Sequence, residues 1–399
     1  MTMNFRASPP QSENFPASEL VLTNARIVLP DAVLAGSLVL EGGRIADVQP
    51  GRSLLPAATD LDGDYLIPGV VDLHTDNLER QVLPRPSARW PSRSALLAHD
   101  AQCAASGVTT VCDALCLGDL GFDKDRIRTF QEGVADLDEL AGTGLLKAEH
   151  FLHLRCELPA PDMLGLLDPV VEHKLVRIVS LMDHSPGVGQ YADLGRYRAM
   201  RVREGMVGAE VERRILELQE QRERTLAPNR SALLARIAGL PLVLASHDDE
   251  SEADIARNHA DGIRISEFPV SMAAARAAKA CGMEVIAGAP NLVRGGSHSG
   301  NVAARDLVRE GAVDAFASDY VPASMVEAAF LAAGATGLSL AGLSLAQAIA
   351  LITANPARMA RLGDRGRIAP GMRADLVRVR LHGSTPVVRE VWSAGRRVS

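Results

Sequence analysis

The sequence is poor in lysine, in aromatic residues and in paired cysteines. Only four of its 399 residues are lysines, at positions 124, 147, 174 and 279, and aromatic residues make up 4%. Few lysines are therefore available for chemistry, and basic residues are almost all arginine. The five cysteines are odd in number and include no C-x-x-C pair. This pattern excludes a disulfide framework and favours small buried thiols in a reducing compartment.

The sequence also lacks an excess of positive charge and long apolar runs. Its formal net charge is −7, whereas proteins that coat nucleic acids are basic. No stretch of about 18 apolar residues predicts a membrane span, and the N-terminus has no apolar core of a signal peptide. We therefore expect a soluble, cytoplasmic protein that binds neither nucleic acid nor a membrane.

The two ends of the chain have the pattern of short β-strands. Apolar and polar residues alternate between turn residues in "LVLTNARIVLP" and "GSLVLEGGRIADVQP", and again over the last forty residues. We predict one small β-sandwich domain formed from both termini, with residues 1–67 as one half and 363–399 as the other. Two unrelated edge hairpins are the less favoured alternative.

The central part, residues 68–362, alternates apolar segments with helix-like runs such as "GAEVERRILELQEQRERTL". The predicted strands are 70–73, 109–114, 151–157, 176–182, 242–246, 263–268, 284–287 and 315–318. Eight βα units predict an α/β fold, a (β/α)8 TIM-like barrel, with its active site at the carboxyl ends of the strands. No G-x-G-x-x-G motif follows the first of these strands, which argues against a dinucleotide-binding fold.

Polar residues end five of these strands abruptly. The endings are His74 and Asp76, Arg155 and Glu157, Asp183 and His184, His247 with Asp248 and Asp249, and Asp319. One such ending is an ordinary cap or turn, but five at one end of a barrel favour metal binding. The candidate ligands are His74, Asp76, Glu157, His184, His247 and Asp319. Glu267, on the sixth strand, is an alternative to His184.

The other histidines fit structural roles better. His153 shares a strand face with Arg155 but lies deeper, so we expect it to pack behind the ligands. His99, His173 and His259 fall in helical or connecting segments, where we expect them to be solvated.

Three imidazoles and three carboxylates, with no thiolate, suit Zn²⁺, Mn²⁺ or Fe²⁺, with Zn²⁺ the first choice. Six ligands exceed the needs of one ion, so two ions about 3.5–4 Å apart with a bridging carboxylate fit better. Metals lower the pKa of bound water to about 7, which makes a nucleophile. The residues therefore predict a hydrolase.

These motifs resemble those of a known family. "IPGVVDLHTD" and "ITANPARMARL…GRIAPGMRADLVRV" resemble the first-strand motif and the tail of the amidohydrolase superfamily. "SLMDHSPGVGQY", "GAPNLVRGGSHSGN" and "ASDYVPAS" resemble its diphosphatases that act on α-D-ribose 1-methylphosphonate 5-triphosphate in the carbon–phosphorus lyase pathway. The resemblance implies hydrolysis of this sugar triphosphate to the 5-phosphate and pyrophosphate, in phosphonate catabolism.

The resemblance also implies residue roles. Asp319 would be the general base, and Glu157 would bridge the metals, because no lysine stands where many members carry a carboxylated one. We expect the loop after the seventh strand to bind phosphate, through Arg294, Gly295, Gly296, Ser297 and His298. We expect three other residues near strand ends to contact ribose or phosphate: Asn77, Asp248 and Tyr320. We expect Arg155 either to form an ion pair with Glu157 or to contact phosphate.

Two alternatives stay open at this point. A C–N hydrolase, such as a deacetylase or deaminase, would use the same fold, and a non-catalytic barrel scaffold would belong to another class. The expected partner is a small-molecule sugar triphosphate, while homo-oligomer formation and a lid over residues 185–230 stay open.

Overall fold

The computed structural model describes residues 19–85, 88–121, 124–297, 300–334 and 340–399. The strands of these parts are β1 (Leu20–Val28), β2 (Val33–Glu41), β3 (Arg44–Pro50), β4 (Thr59–Asp60), β5 (Tyr65–Pro68), β6 (Val70–Thr75), β7 (Val108–Leu117), β8 (Glu149–Glu157), β9 (Val176–Met182), β10 (Val243–His247), β11 (Ile265–Glu267), β12 (Glu284–Gly288), β13 (Ala315–Ala317), β14 (Leu376–His382), β15 (Thr385–Ser393) and β16 (Arg396–Arg397).

The helices lie mostly between the central strands. They are α1 (Asn77–Val82), α2 (Ser92–Ala105), α3 (Lys124–Leu140), α4 (Met163–Leu167), α5 (Leu194–Arg203), α6 (Gly208–Ile237), α7 (Glu252–Ala260), α8 (Met272–Ala280), α9 (Ala289–Arg294), α10 (Ala304–Arg309), α11 (Ser324–Ala332), α12 (Leu345–Ala350) and α13 (Ala354–Met359). A short 3-10 helix spans Gly189–Tyr191. Among the described residues, no helix has both the length and the hydropathy needed to cross a bilayer.

Strands β6 to β13 form a parallel barrel in chain order. All ten residues of β7 are buried, as expected for a parallel strand covered on both faces. The barrel closes between its first and last strands through the parallel bridge of Thr75 and Asp319. The predicted (β/α)8 barrel is confirmed, and each predicted strand overlaps an observed one.

The terminal strands form a separate eight-stranded sheet in the order β16-β15-β14-β5-β1-β2-β3, with β4 beside β1. Its two halves meet where β14 pairs antiparallel with β5, with Leu376 opposite Pro68. Leu22, Ile27 and Trp392 are among the buried side chains of its core. A small β-domain built from both termini is therefore confirmed, with its strands joined in one hydrogen-bonded sheet. The division at residues 67/68 and 362/363 stays a prediction.

Two expectations about buried groups need correction. All five cysteines, each within the described part of the chain, are free, but Cys281 is exposed while the other four are buried. His99 is fully buried rather than solvated. The reason is a carboxylate on the neighbouring strand, because His99 Nε2 lies 2.7 Å from Asp113 Oδ1.

Candidate active site

A cavity of about 430 Å³ opens at the carboxyl ends of the barrel strands. This is the end at which active sites of such barrels lie, and the volume is within the range of small-molecule sites. His184, His247 and Asp319 from the barrel line it, and Tyr191 and Arg201 cover it from the segment before α6. The barrel therefore supplies the floor and the helical segment supplies one side.

Three residues at the ends of strands have left-handed backbone conformations. Asp248, Phe268 and Asp319 have φ angles of 57°, 52° and 53°. An aspartate tolerates this region, but a bulky phenylalanine rarely occupies it, and such strain concentrates at functional sites. The Phe268 ring packs edge-on against the rings of His74 and His247, at centroid distances of 4.9 and 5.4 Å. The strained turn thus fixes an aromatic ring against two imidazoles.

His74 and His247 lie side by side above a buried carboxylate. Their rings stack at a centroid distance of 5.3 Å. Glu267 lies beneath both, with Oε1 3.3 Å from His74 Nδ1 and Oε2 3.5 Å from His247 Nδ1. Burial opposes ionisation of Glu267, but the neighbouring His153 and His74 rings hold its pKa well below the usual range. The carboxylate therefore orients both imidazoles from behind.

His184 has a carboxylate of its own. Its Nδ1 lies 2.6 Å from Glu157 Oε2, and its backbone N–H donates to Glu157 Oε1 at 2.8 Å. Glu157 therefore contacts an imidazole and the backbone of the same residue. That it bridges two metals stays a prediction.

The opposite nitrogens of these histidines face carboxylates at the cavity. His74 Nε2 lies 3.6 Å from Asp76 Oδ1, while His184 Nε2 and His247 Nε2 lie 3.8 and 3.7 Å from Asp248 Oδ2. The ligand atoms form two adjacent groups, in each of which they all lie within 4.8 Å of one another. The first group is His74, Asp76 and Asp319, and the second is His184, His247 and Asp248.

His153 packs behind the first group, as expected from its depth in the strand. Its Nδ1 donates to the Leu73 carbonyl at 2.9 Å, and its Nε2 lies 2.9 Å from Ser180 Oγ. Burial lowers the pKa of His153 to about 4. His153, His74 and Glu267 also form a compact cluster, but hydrogen bonds within the protein already use both nitrogens of His153.

Unpaired polar atoms in the second group fit a cation. His184 Nε2 and Asp248 Oδ2 are buried and make no hydrogen bond to any described residue. A buried polar atom without a partner costs about 1–3 kcal/mol, so two such atoms in one place need an explanation. Imidazole nitrogens and carboxylate oxygens without thiolates are the donors that Zn²⁺, Mn²⁺ and Fe²⁺ accept. The residues present therefore fit a divalent ion.

Charge at the first group is set by Arg155. Its Nη1 donates to both oxygens of Asp76, at 2.6 and 2.7 Å. Burial opposes ionisation, but this guanidinium keeps the pKa of Asp76 well below its usual range. Arg155 therefore pairs with Asp76 and not with Glu157, which corrects one of the two expected roles. By contrast, burial and the Asp76 carboxylate raise the pKa of Asp319 to about 7.

The predicted phosphate loop is only partly at the cavity. Ser297 and Tyr320 line it, whereas Arg294 is exposed at the end of α9 and is not among the lining residues. The N–H groups of Gly295 and Gly296 donate to carbonyls of that helix, Leu292 O at 3.2 Å and Asn291 O at 3.0 Å. These N–H groups are therefore already used within the protein, and phosphate binding by the loop stays a prediction. His298 lies outside the described residues.

Asn77 points away from the cavity. Its Nδ2 donates to His99 Nδ1 at 2.9 Å and to Gln102 Oε1 at 3.0 Å, so its amide N–H groups are used within the protein and the substrate contact stays a prediction. His99 continues into a buried network, in which Asp113 Oδ2 lies 2.8 Å from His150 Nδ1 and Asp100 Oδ1 lies 3.2 Å from His150 Nε2. Because ionised carboxylates only accept hydrogen bonds, both nitrogens of His150 donate and the ring is a cation.

Asp249 is structural. It accepts hydrogen bonds from the hydroxyls of Ser246 and Ser266, both at 2.5 Å, and from Asn258 Nδ2 at 2.7 Å. The neighbouring Asp248, which the sequence offered as a substrate contact, is the residue that joins the second ligand group.

Sequence reasoning missed four residues that shape the cavity. They are Phe268, Arg126, Tyr191 and Arg201. Arg126 and Arg201 stand in α3 and α5, where an arginine ordinarily lies on the solvated face of a helix. Nothing in their spacing marks them as functional. Only the packing of these helices beside the barrel opening brings them to the cavity.

Comparisons with known proteins agree with this geometry. Residues 208–398 match the sequence profile described as the amidohydrolase family. The chain is 41% identical over 380 residues to the α-D-ribose 1-methylphosphonate 5-triphosphate diphosphatase of Escherichia coli (strain K12), covering 95% of this chain and 100% of the relative.

Solved structures share the fold at lower identity. An N-acetyl-D-glucosamine-6-phosphate deacetylase from Mycobacterium smegmatis aligns with a TM-score of 0.62 and 17% identity, over 95% of this chain and 100% of that one. A dihydropyrimidinase from Brevibacillus agri aligns with a TM-score of 0.62 and 13% identity, over 95% of each chain. At such identities the likeness concerns the architecture alone.

Proposed function

We propose, from the premise that this chain belongs to the amidohydrolase family, that it hydrolyses α-D-ribose 1-methylphosphonate 5-triphosphate to the 5-phosphate and pyrophosphate. The observation that carries this proposal is the similarity to the Escherichia coli diphosphatase, which spans the whole of that relative. The reaction would serve the degradation of phosphonates. The cavity is consistent with an anionic substrate, because arginines line it beside the two ligand groups.

The two ligand groups would hold two divalent ions. His74, Asp76 and Asp319 would hold one, and His184, His247 and Asp248 the other. Glu157 and Glu267 would orient the imidazoles from behind, a role that typically changes metal affinity 10- to 100-fold. When bound, such ions lower the pKa of water and neutralise phosphate charge. Zn²⁺ is the ion we expect first for these donors, with Mn²⁺ and Fe²⁺ as alternatives.

Asp319 is the proposed general base. Its half-buried carboxylate lines the cavity beside the candidate metal ligands, where a carboxylate can accept a proton from an attacking water. In the proposed step, water attacks the α-phosphorus, Asp319 accepts the proton of the water, and the bond to the bridging oxygen breaks. Pyrophosphate leaves with that oxygen, and the sugar keeps one phosphate.

The cysteines bear on cellular location. We propose a cytoplasmic enzyme, since all five cysteines are free and such thiols are typical of reducing compartments. Sedimentation of the purified chain tests whether it forms a homo-oligomer.

A direct assay tests the proposal. The purified protein, loaded separately with Zn²⁺, Mn²⁺ or Fe²⁺, is incubated with the sugar triphosphate and followed by ³¹P NMR. We expect equal amounts of pyrophosphate and sugar 5-phosphate. A panel of amides and acetylated amino sugars runs in parallel, because a C–N hydrolase of the same fold is the alternative. Release of amine or acetate, with the triphosphate intact under every metal, would overturn the proposal.

A further inference from the structure

Three arginines line the cavity within the described part of the chain: Arg126, Arg155 and Arg201. Arg155 is committed to Asp76 by two short hydrogen bonds. A triphosphate carries several negative charges, which need cations beyond the candidate metals. The other two arginines come from helices α3 and α5, outside the barrel strands. Their ion pairs within the described part of the chain are with Glu79 and Glu204, neither of which is a candidate metal ligand.

Arg126 has an unused donor, its Nε. Its closest carboxylate is Glu79, with Arg126 Nε 3.7 Å from Glu79 Oε1, which is beyond hydrogen-bonding distance. The Nε is buried and makes no hydrogen bond to any described residue. A guanidinium beside a cavity with an unused donor is well suited to bind phosphate oxygens in pairs.

Arg201 is held in place by its neighbours. Its guanidinium lies over the Tyr197 ring, 5.1 Å from the centroid, and its Nη1 donates to Glu204 Oε2 at 2.8 Å. The Tyr197 ring packs against Tyr191 at 5.4 Å, and Tyr191 packs against His184 at 6.1 Å. Arg201 is thus connected by aromatic contacts to the second ligand group. Its side chain is only 10% exposed, so it cannot simply extend into solvent.

We propose that Arg126 and Arg201 form a binding subsite for the leaving diphosphate of the substrate. This inference rests on the proposed function for the identity of the substrate. The charge argument selects the diphosphate, because it is the most highly charged part of the molecule and pairs with two cations better than a single methylphosphonate does. Arg155 serves the candidate metal ligands, while the two helical arginines serve the polyphosphate.

Binding of inorganic pyrophosphate tests the subsite without catalysis. Isothermal titration compares the wild-type protein with Arg126→Met and Arg201→Met at one fixed metal loading. We expect the Kd for pyrophosphate to rise about ten- to hundredfold in each variant, since each loses charged hydrogen bonds. Ribose 5-phosphate and methylphosphonate serve as the other probes, and we expect their Kd values to change less than about twofold, the range of a neutral substitution.

Matched controls stand on the same helices. Arg128→Met in α3 and Arg198→Met in α5 remove the same charge from exposed side chains that pair with Glu132 and Glu212. They account for the loss of net charge. They also keep both ligand groups, so any pyrophosphate bound by the metal ions themselves is the same in controls and test variants. Because Arg201 is largely buried, Arg201→Lys is tested as well, and circular dichroism checks that each variant is folded. The lysine variant should show an intermediate Kd.

The outcomes separate the subsite from the reaction. If the wild type does not bind pyrophosphate, or if Arg126→Met and Arg201→Lys bind it as the wild type does, the subsite is overturned. A change confined to methylphosphonate binding would overturn it too. If the variants lose pyrophosphate binding but the wild type never releases pyrophosphate from the sugar triphosphate, the subsite stands and the proposed function fails.

Discussion

Glu157 contacts His184 twice, through its imidazole at 2.6 Å and through its backbone N–H at 2.8 Å. The two contacts fix both the position of the residue and the nitrogen of its ring that faces the cavity. Register explains the pairing, because Glu157 lies opposite Met182 on the adjacent strand and His184 follows two residues later. A carboxylate placed in this way acts on metal affinity through the imidazole it orients.

Replacing Glu157 with glutamine tests that role. The amide keeps the shape but is a weaker acceptor for the imidazole, so we expect metal affinity to fall about 10- to 100-fold. Competition with a chromogenic chelator gives the affinity directly. Glu284→Gln is the control, since Glu284 stands at the opposite end of a barrel strand and pairs with Arg358. Wild-type affinity in the Glu157 variant would show that the carboxylate has no part in metal binding.

Asp319→Asn tests the proposed base. An amide cannot accept the proton of the attacking water, and loss of a general base typically lowers kcat by about 100- to 10,000-fold. Because Asp319 is also a candidate ligand, pyrophosphate release is measured at saturating metal, with the bound metal counted in the same sample. Asp306→Asn, an exposed aspartate of α10, should leave kcat unchanged. A fully metallated Asp319 variant that keeps wild-type kcat would exclude the role.

Arg294→Met separates the sequence-based phosphate loop from the observed cavity. The side chain is exposed and is absent from the cavity lining, so we expect KM and kcat for the triphosphate to change less than about twofold. Steady-state kinetics measure this, alongside Arg126→Met for comparison. A tenfold rise in KM for the Arg294 variant would return this arginine to the binding site.

The buried His150 predicts a dependence of stability on pH. Burial opposes protonation, but Asp113 and Asp100 outweigh it and raise the pKa of His150 from 6.5 to about 10. A pKa higher in the folded state means that the stabilisation is complete below pH 6.5 and is lost as pH rises toward about 10. Urea unfolding of the wild type and of His150→Gln should therefore give free energies that differ most near pH 6 and converge at high pH.

Two further variants sharpen that test. His259→Gln, at a half-buried position on α7, should be as stable as the wild type at every pH. Asp113→Asn leaves His150 without its main partner, and breaking a buried ion pair costs about 3–5 kcal/mol. If the gap between wild type and His150→Gln is the same at pH 6 and pH 10, the ring is not charged in the folded protein.

The architecture could be predicted from the sequence in more detail than the contacts of the site. Strand positions and their polar ends are visible in it because parallel buried strands are short apolar runs, and a barrel brings their carboxyl ends together. His74, His184 and His247 converge for that reason. The partner of Glu157 was not predictable, because it depends on the register between two strands 27 residues apart.

Other features depend on packing that local patterns do not encode. His99 follows a helical pattern that looks solvated, yet α2 turns it toward the buried Asp113. The glycines after α9 read as a phosphate loop, but their N–H groups complete the end of the helix. Asp248 and Asp249 are adjacent and alike in sequence. Only the left-handed turn at Asp248 directs one carboxylate to the cavity and leaves the other among hydroxyls.

The closure of the barrel has a consequence for how the protein matures. The Asp319 N–H donates to the His74 carbonyl at 3.0 Å, and the Asp76 N–H donates to the Asp319 carbonyl at 2.6 Å. Residues almost 250 positions apart thus become neighbours only when the last strand docks on the first. A nascent or truncated chain that lacks the final strand cannot complete the first ligand group, so cation uptake by that group would report the end of folding. By mass action, a captured ion would in turn hold the ring of strands shut.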